Sequence, residues 1–374
     1  VREVDVAAAP GALHFFRVSA VNAGGESFPT PTLALLQPAE GTRGALIVGA
    51  FDRLDRYQLL EDDQSVWTNG IVRRMRLDRM NAYTYVVPHA HALAALGVPV
   101  ESAWHDAPLD AADLAGYAVV DWACGEESDR DQTFSNAELD LVEDMLSQGG
   151  RLLATGAEIG WDLVELGEGD QPARVAAIFG ADYVSDDAET PRVRLADGTE
   201  LMIDEGAGDA YAVEYPDVWA PREGAEAIAW YAGEPPRAAA VARRTPLGGG
   251  AALVGAPLEA LGPEEGRVAL LRALLDALDM PEVTVAPPEG GAESEPEAGP
   301  EEVAEHVEAG ADITEAWDTL TDVREPDADL VEAPELAADL PPTILPEHAG
   351  GGGACTYKGA EGARDSSVAW LLCA

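Results

Sequence analysis

The segment Arg151-Leu-Leu-Ala-Thr-Gly-Ala-Glu-Ile-Gly160 joins a short apolar run to a turn bounded by two glycines. A run of this length fits a strand buried on both faces, since helices covering a parallel sheet leave no strand face in water. Three similar runs recur, at Ala45-Leu-Ile-Val-Gly-Ala50, Tyr117-Ala-Val-Val-Asp121 and Ala251-Ala-Leu-Val-Gly255. Helical segments lie between them. In Phe134-Ser-Asn-Ala-Glu138, Ser135 and Glu138 have the spacing of a capping box, and Phe134 is placed to staple onto Leu139. Leu139, Val142 and Leu146 then repeat at helical spacing until Gly149-Gly150 ends the helix. Further helices are predicted from Ala82 to Leu96, stopped by Gly97, and from Glu265 to Leu278. Strands alternating with helices predict an α/β domain with a doubly wound parallel sheet over residues 39–283. Shorter β-like pieces between about 181 and 245, such as Pro191-Arg-Val-Arg-Leu-Ala-Asp-Gly198, predict a small β insertion.

The flanks differ in character. In Leu13-His-Phe-Phe-Arg-Val-Ser-Ala-Val-Asn22, His14, Phe16, Val18 and Ala20 alternate onto one face, and Asn22-Ala-Gly-Gly-Glu-Ser27 supplies a glycine-rich turn. From His14 to Ser27 this resembles the last two strands of a fibronectin type III domain, so residues 1–38 are expected to be the end of a β-sandwich. His14 stands where that family places its corner Tyr. From 281 to 350 there are 20 acidic residues and one basic residue, Arg324, among many Pro, Ala and Gly. Such composition buries too little apolar surface to offset ordering entropy, so 284–350 is expected to be a disordered acidic linker. The last stretch, 351–374, completes the run Gly350–Gly353, then carries Cys355 and the apolar Val368–Ala374. It resembles a myxobacterial-type C-terminal sorting signal, which implies Cys355 as the anchoring position. The apolar run is far shorter than the roughly 20 residues that span a bilayer and lacks a terminal Arg cluster, as a truncated signal would.

The 374 residues carry 69 carboxylates against 23 Lys plus Arg, a net charge of −46. That charge repels phosphate backbones and anionic lipid heads, which argues against nucleic acid as a partner and leaves the C-terminal anchor as the expected route to a membrane. It is compatible with export, with divalent-cation binding and with a salty medium. Cys124, Cys355 and Cys373 do not make a disulfide framework. The chain opens at Val1 with no initiator Met or export signal, and is expected to be part of a longer precursor.

Chemistry on a doubly wound sheet collects at the carboxyl ends of the strands. Those positions hold Asp52, Arg53, Asp55 and Arg56, then Cys124, Glu126 and Glu127, then Glu158, Trp161 and Asp162. Gly156-Ala-Glu-Ile-Gly160 has the form of a nucleophile elbow with Glu158 at the nucleophile position. The domain is therefore similar to the class I glutamine amidotransferase-like superfamily, which implies a flavodoxin-like sheet. Its active members attack an amide with an elbow Cys activated by a later His. Here Glu158 replaces that Cys, and the later histidines, His306 and His348, fall in the acidic linker, so glutaminase activity is not expected. Cys124 follows a different strand and has no nearby base in the sequence.

Glu126, Glu127 and Glu158, with Asp162, can serve as acid and base for a sugar bond or converge on Ca²⁺; alternatively they pair with Arg53 and Arg56 and cap helices. His89 and His91, two apart on a helix, point to different faces and do not form a metal site; His105 is isolated. Trp67, Trp104, Trp122 and Trp161 are candidates for stacking on glycan, or for core. The layout, with Gly49-Ala-Phe-Asp-Arg53 opening the α/β domain, resembles bacterial surface proteins carrying fibronectin modules, some linked to N-acetylmuramoyl-L-alanine amidase domains. That resemblance implies a secreted or outer-surface location beside upstream modules of the same precursor. Three functions follow as alternatives. They are a non-catalytic module binding glycan or cell-wall polymer through Asp52, Arg53, Trp161 and Asp162, a cell-wall or polysaccharide hydrolase using Glu158 with Glu126 or Glu127, and a structural display domain.

Overall fold

A computed structural model describes residues 3–22, 24–53, 60–74, 83–205, 211–287 and 367–371. The start of the expected acidic linker, Thr284 to Ala286, instead hydrogen-bonds Gln37 and Ala39 as an antiparallel bridge. The linker beyond Pro287, together with Asp55, Arg56 and Cys355, lies outside the described residues. Five parallel strands form the centre: β1 (Ala45–Gly49), β2 (Val100–Trp104), β3 (Val119–Gly125), β4 (Arg151–Gly156) and β5 (Gly250–Val254). They lie side by side in the order β2-β1-β3-β4-β5, the flavodoxin-like arrangement. Four of the five coincide with the apolar runs. The fifth, β2, is interrupted by Glu101 and the buried Ser102, whose hydroxyl hydrogen-bonds the amide and carbonyl of Ala34.

The two-residue period of a strand divides the core into two layers. Ala45, Ile47, Val119, Leu153, Ala252 and Val254 face helices α1 (Val86–Ala95) and α5 (Glu264–Ala277). Leu46, Val48, Val120, Trp122, Leu152, Ala154 and Leu253 face α2 (Ala111–Ala115), α3 (Asn136–Ser147) and α4 (Gln171–Phe179). The capping box at Ser135 and Glu138 forms as predicted.

Beyond β5 the sheet continues antiparallel through Arg237–Arg244, Ala225–Tyr231, Arg192–Leu195 and Glu200–Ile203, so the predicted insertion widens the sheet itself. At the opposite edge, Leu33–Leu36 pairs with β2 and Leu13–Phe16 pairs with Leu33–Leu36. The segment expected as a sandwich hairpin is one long hairpin: Val21–Asn22 pairs with Gly25–Glu26 at its tip, the Ala20 and Val18 carbonyls accept from the Ser27 and Thr30 amides, and its base, Leu13–Phe16 with Leu33–Leu36, extends the α/β sheet. Val368 to Leu371, expected as the start of an apolar anchor, lies in a strand (Ser367–Leu371) paired antiparallel with Glu3–Ala7. No helix among the described residues is long and apolar enough to cross a membrane.

Candidate functional site

The strand-to-helix turn after β4 has the predicted elbow form, with Glu158 on the turn and helical backbone from Ile159. Both glycines are required by close packing. A Cβ on Gly156 would come within 2.9 Å of the Cys124 Cβ, and one on Gly160 would run into the Tyr183 ring. Glu158 is half-buried, and its Oε2 accepts a hydrogen bond from Ser128 Oγ at 2.5 Å. Burial raises its pKa, against the lowering effect of the Ser128 hydroxyl.

The other strand-end carboxyls are held by loop donors. Glu127, 1% exposed, accepts at Oε1 from the amides of Asp52 (2.6 Å) and Arg53 (2.5 Å). Its burial lifts its pKa to about 8, with those amides opposing and the Asp52 carboxylate adding to the rise. Glu126 accepts from the amide of Glu214, and Arg53 donates to the Glu126 carbonyl at 2.8 Å. Burial pushes Glu126 well up. Asp162 accepts from Thr133 through its amide (2.9 Å) and hydroxyl (2.8 Å), and burial raises it too. Gly125, at φ 58°, makes the turn that sends Glu126 and Glu127 into different loops; a Cβ there would overlap the Phe51 ring.

Asp217 was not legible as a site residue. It comes from the insertion, is fully buried, and its Oδ2 accepts from the Gly160 amide at 2.6 Å. Burial drives its pKa well up, with that amide opposing. The opening of the helix after the elbow, where an anion is favoured, therefore holds a carboxyl of the protein.

The histidines correct one expectation and extend another. His105 is not isolated: Nδ1 hydrogen-bonds Glu138 Oε1 at 3.0 Å and Nε2 lies 3.5 Å from Asp52 Oδ2. The Glu138 bond raises its pKa in spite of partial burial. His89 and His91 do diverge, His91 to solvent and His89 into the core. There His89 Nδ1 donates to Asp121 at 2.7 Å and Nε2 to Glu259 at 3.2 Å, while Tyr211 Oη donates to Glu259 at 2.7 Å. Burial alone would lower the His89 pKa; the Asp121 carboxylate and then Glu259 outweigh it and raise it to about 9. The signal was present in strand parity. Asp121 alternates with Val120 and Trp122, so it had to point at the α1 layer, and His89 shares a helical face with Val86 and Leu93.

Of the tryptophans, Trp122 is core, fully buried against Phe134 at 5.1 Å, and is not a stacking surface. Trp104 and Trp161 are half-buried, and Trp67 is 75% exposed. Trp104 lies across Gly49, where a Cβ would meet its ring at 2.9 Å, and stands edge-on to the half-buried Tyr83 at 6.4 Å and to His105 at 5.7 Å. Phe51, within the Gly49–Arg53 motif, is buried against Tyr85 (4.5 Å) and Tyr211 (5.0 Å). Cys124 is buried, burial pushes its thiol well up, and it is not a nucleophile. Among the described residues no three His, Cys, Asp or Glu side chains come together to hold a metal ion.

No family model matches the chain, and no curated protein matches it. Solved structures similar to it include a GMP synthase-type protein from Thermoplasma acidophilum, at 14% identity over 64% of this chain and 95% of that one, with a TM-score of 0.33. Another is a ThuA-like protein from Bacteroides uniformis, at 10% identity over 64% of this chain and 92% of that one, with a TM-score of 0.37. The chain contains a flavodoxin-like α/β domain, and the order β2-β1-β3-β4-β5 identifies it.

Proposed function

We propose that this chain is a non-catalytic module of a secreted or surface-displayed envelope protein, and that it binds glycan or cell-wall polymer at the carboxyl ends of β1 and β2. One observation carries the non-catalytic reading: every strand-end carboxyl expected to do chemistry is engaged by a donor of the protein itself. Glu158 is held by Ser128, Glu126 and Glu127 by loop amides, and Asp162 by Thr133. These bonds tie one oxygen of each carboxyl to a loop, and Glu126, Glu127 and Asp162 are buried, whereas a general acid or base needs an oxygen facing substrate. The binding reading is supported by Trp104 and Tyr83 beside Asp52 and His105, an aromatic surface next to polar groups of the kind that stacks on a sugar ring. The fibronectin-like reading of His14–Ser27, the sorting-signal reading around Cys355 and the association with amidase-bearing precursors belong to the same proposal. Exposed Val21 and Phe28 favour further strands covering the N-terminal segment.

The test is to incubate the chain with muropeptides and with neutral oligosaccharides, following both product and binding, in parallel with Glu158→Gln and Trp104→Ala. Binding without turnover in the wild type and Glu158→Gln, weakened about tenfold in Trp104→Ala, is expected. Turnover in the wild type that disappears in Glu158→Gln would establish a hydrolase instead.

A further inference from the structure

Three strand-end segments meet at the ring of His105. The residue follows directly on β2, and its amide donates to the Gly49 carbonyl at 3.0 Å, which carries the parallel ladder one residue past the strand and fixes this backbone to the end of β1. The Ala107 amide closes the turn by donating to the Trp104 carbonyl at 2.9 Å. One ring nitrogen hydrogen-bonds Glu138 Oε1, and the other faces Asp52 Oδ2 at ion-pair distance. Glu138 stands in the first turn of α3, where its Oε2 accepts from the Ser135 amide at 2.7 Å. Asp52 lies in the loop after β1, with its amide on Glu127 Oε1, and the imidazole also stands edge-on to Trp104.

The count of donors decides what this arrangement needs. An ionised carboxylate only accepts hydrogen bonds, and a neutral imidazole carries one N–H. Neutral His105 therefore serves one carboxylate and turns a lone pair toward the other, whereas the imidazolium, with two N–H groups, serves both. Glu138 keeps its bond when the proton leaves, because it is nearer (3.0 against 3.5 Å) and less exposed (16% against 47% of the side chain). Asp52 is the partner released, and water receives it. The charges acting on the ring come from Glu138 on α3, Asp52 on the loop after β1 and Asp106 on its own turn, all of them carboxylates. Tyr83, beside Asp52, stays neutral, its hydroxyl raised by burial and then by the Asp52 and Glu127 carboxylates, while Arg53 donates to the Glu126 carbonyl.

We infer that His105 is a positioning residue that gates the proposed binding surface by pH: as imidazolium it clamps Asp52 beside Trp104, and loss of its proton frees Asp52 and weakens binding of a neutral glycan. The inference rests on the glycan-binding reading above. A carboxylate held in place beside an aromatic ring accepts from sugar hydroxyls with little entropy left to lose, while a freed one must be ordered again on binding. The direction of the gate follows from the surroundings of the ring. The Glu138 hydrogen bond, opposed by partial burial and helped by Asp52 and Asp106, raises the His105 pKa, so the clamp outlasts the ordinary 6.5 and opens as the pH rises further.

The experiment titrates the full chain and His105→Gln with a soluble oligomer of β-1,4-linked N-acetylglucosamine from about pH 5.5 to about pH 9.5, and follows the His105 ring, the Asp52 carboxyl and the Trp104 indole by NMR over the same range. Wild-type affinity should fall about fivefold across the titration of the ring, with the Asp52 and Trp104 signals moving at the same pH. Glutamine donates at only one end of its amide, so His105→Gln should bind at every pH about as weakly as the alkaline wild type, with a melting temperature within about 3 °C of wild type. Glu127 also titrates in this range, at about 8. The variant keeps Glu127, so the part of the slope that it loses belongs to His105. Binding without this pH dependence, or a dependence that His105→Gln retains, would overturn the inference and leave the glycan-binding reading standing. No binding at any pH would overturn the glycan-binding reading; the clamp is then decided by NMR, upheld by Asp52 and Trp104 signals that follow the ring and overturned by signals that ignore it.

Discussion

His89 and His105 are each gripped by two carboxylates, yet they sit in opposite surroundings. His89, Asp121 and Glu259 are almost wholly buried. His105 keeps 23% of its side chain in water and Asp52 keeps 47%. In the core, water cannot take over when one partner is removed, so the group must stay complete. At the rim, solvent replaces a lost partner at small cost. The same three-group chemistry is therefore a structural bond in one place and an adjustable surface feature in the other.

The largest expected effect tests the buried side. His89→Ala leaves Asp121 and Glu259 without a cation and should cost about 3–5 kcal/mol, a fall in melting temperature on the order of 10 °C. Equal losses in His89→Ala and His105→Ala, by calorimetry, would break the comparison. Next comes pH. The folded pKa of His89, about 9, is raised above the ordinary 6.5, so its contribution is complete below about pH 6.5 and is lost as pH rises through about 9. Melting temperature measured from pH 6 to 10 should fall in the wild type across that window and lose this part of its slope in His89→Ala.

Glu127→Gln sharpens the contrast at the strand ends. Its carboxyl is raised to about 8, so the folded state holds a proton more tightly than the unfolded chain. Stability from this group is present below the ordinary carboxylate range and declines as pH rises toward 8. Glutamine keeps an acceptor for the Asp52 and Arg53 amides, and denaturant titrations at pH 5 and 8 should differ less in the variant, by about 1–2 kcal/mol. A steeper pH dependence in the variant would refute the assignment. The smallest effect is expected from His105→Ala, below about 1 kcal/mol, with melting temperature within about 3 °C of wild type.

Local signals carried most of the fold. Apolar runs marked β1, β3, β4 and β5, and Ser135 with Glu138 marked the start of α3, because each depends on neighbours a few residues away. Strand β2 escaped because Glu101 and Ser102 break its apolar run, and Ser102 is satisfied by Ala34, 68 residues distant. Placement at strand ends found Glu126, Glu127, Glu158 and Asp162, but their donors were out of sight. Glu214 meets Glu126 across 88 residues and Asp217 meets Gly160 across 57. Hydrogen bonds of such range leave no periodicity to read. The His89 network was partly readable, since strand parity directs Asp121 to the α1 layer, whereas Glu259 arrives from 170 residues away.

The carboxyl that Asp217 places on the Gly160 amide bears on any attempt to re-engineer the elbow. Swapping Glu158 for cysteine would install a thiol at a well-shaped turn and little else. The helix opening beside it is already filled from the insertion, and His89, the deeply buried imidazole, is locked between Asp121 and Glu259. A designer would have to withdraw Asp217 and import a base before the turn could support acyl transfer. With the insertion's carboxyl in that opening, exchange of Glu158 alone leaves the turn without a free anion site or a base.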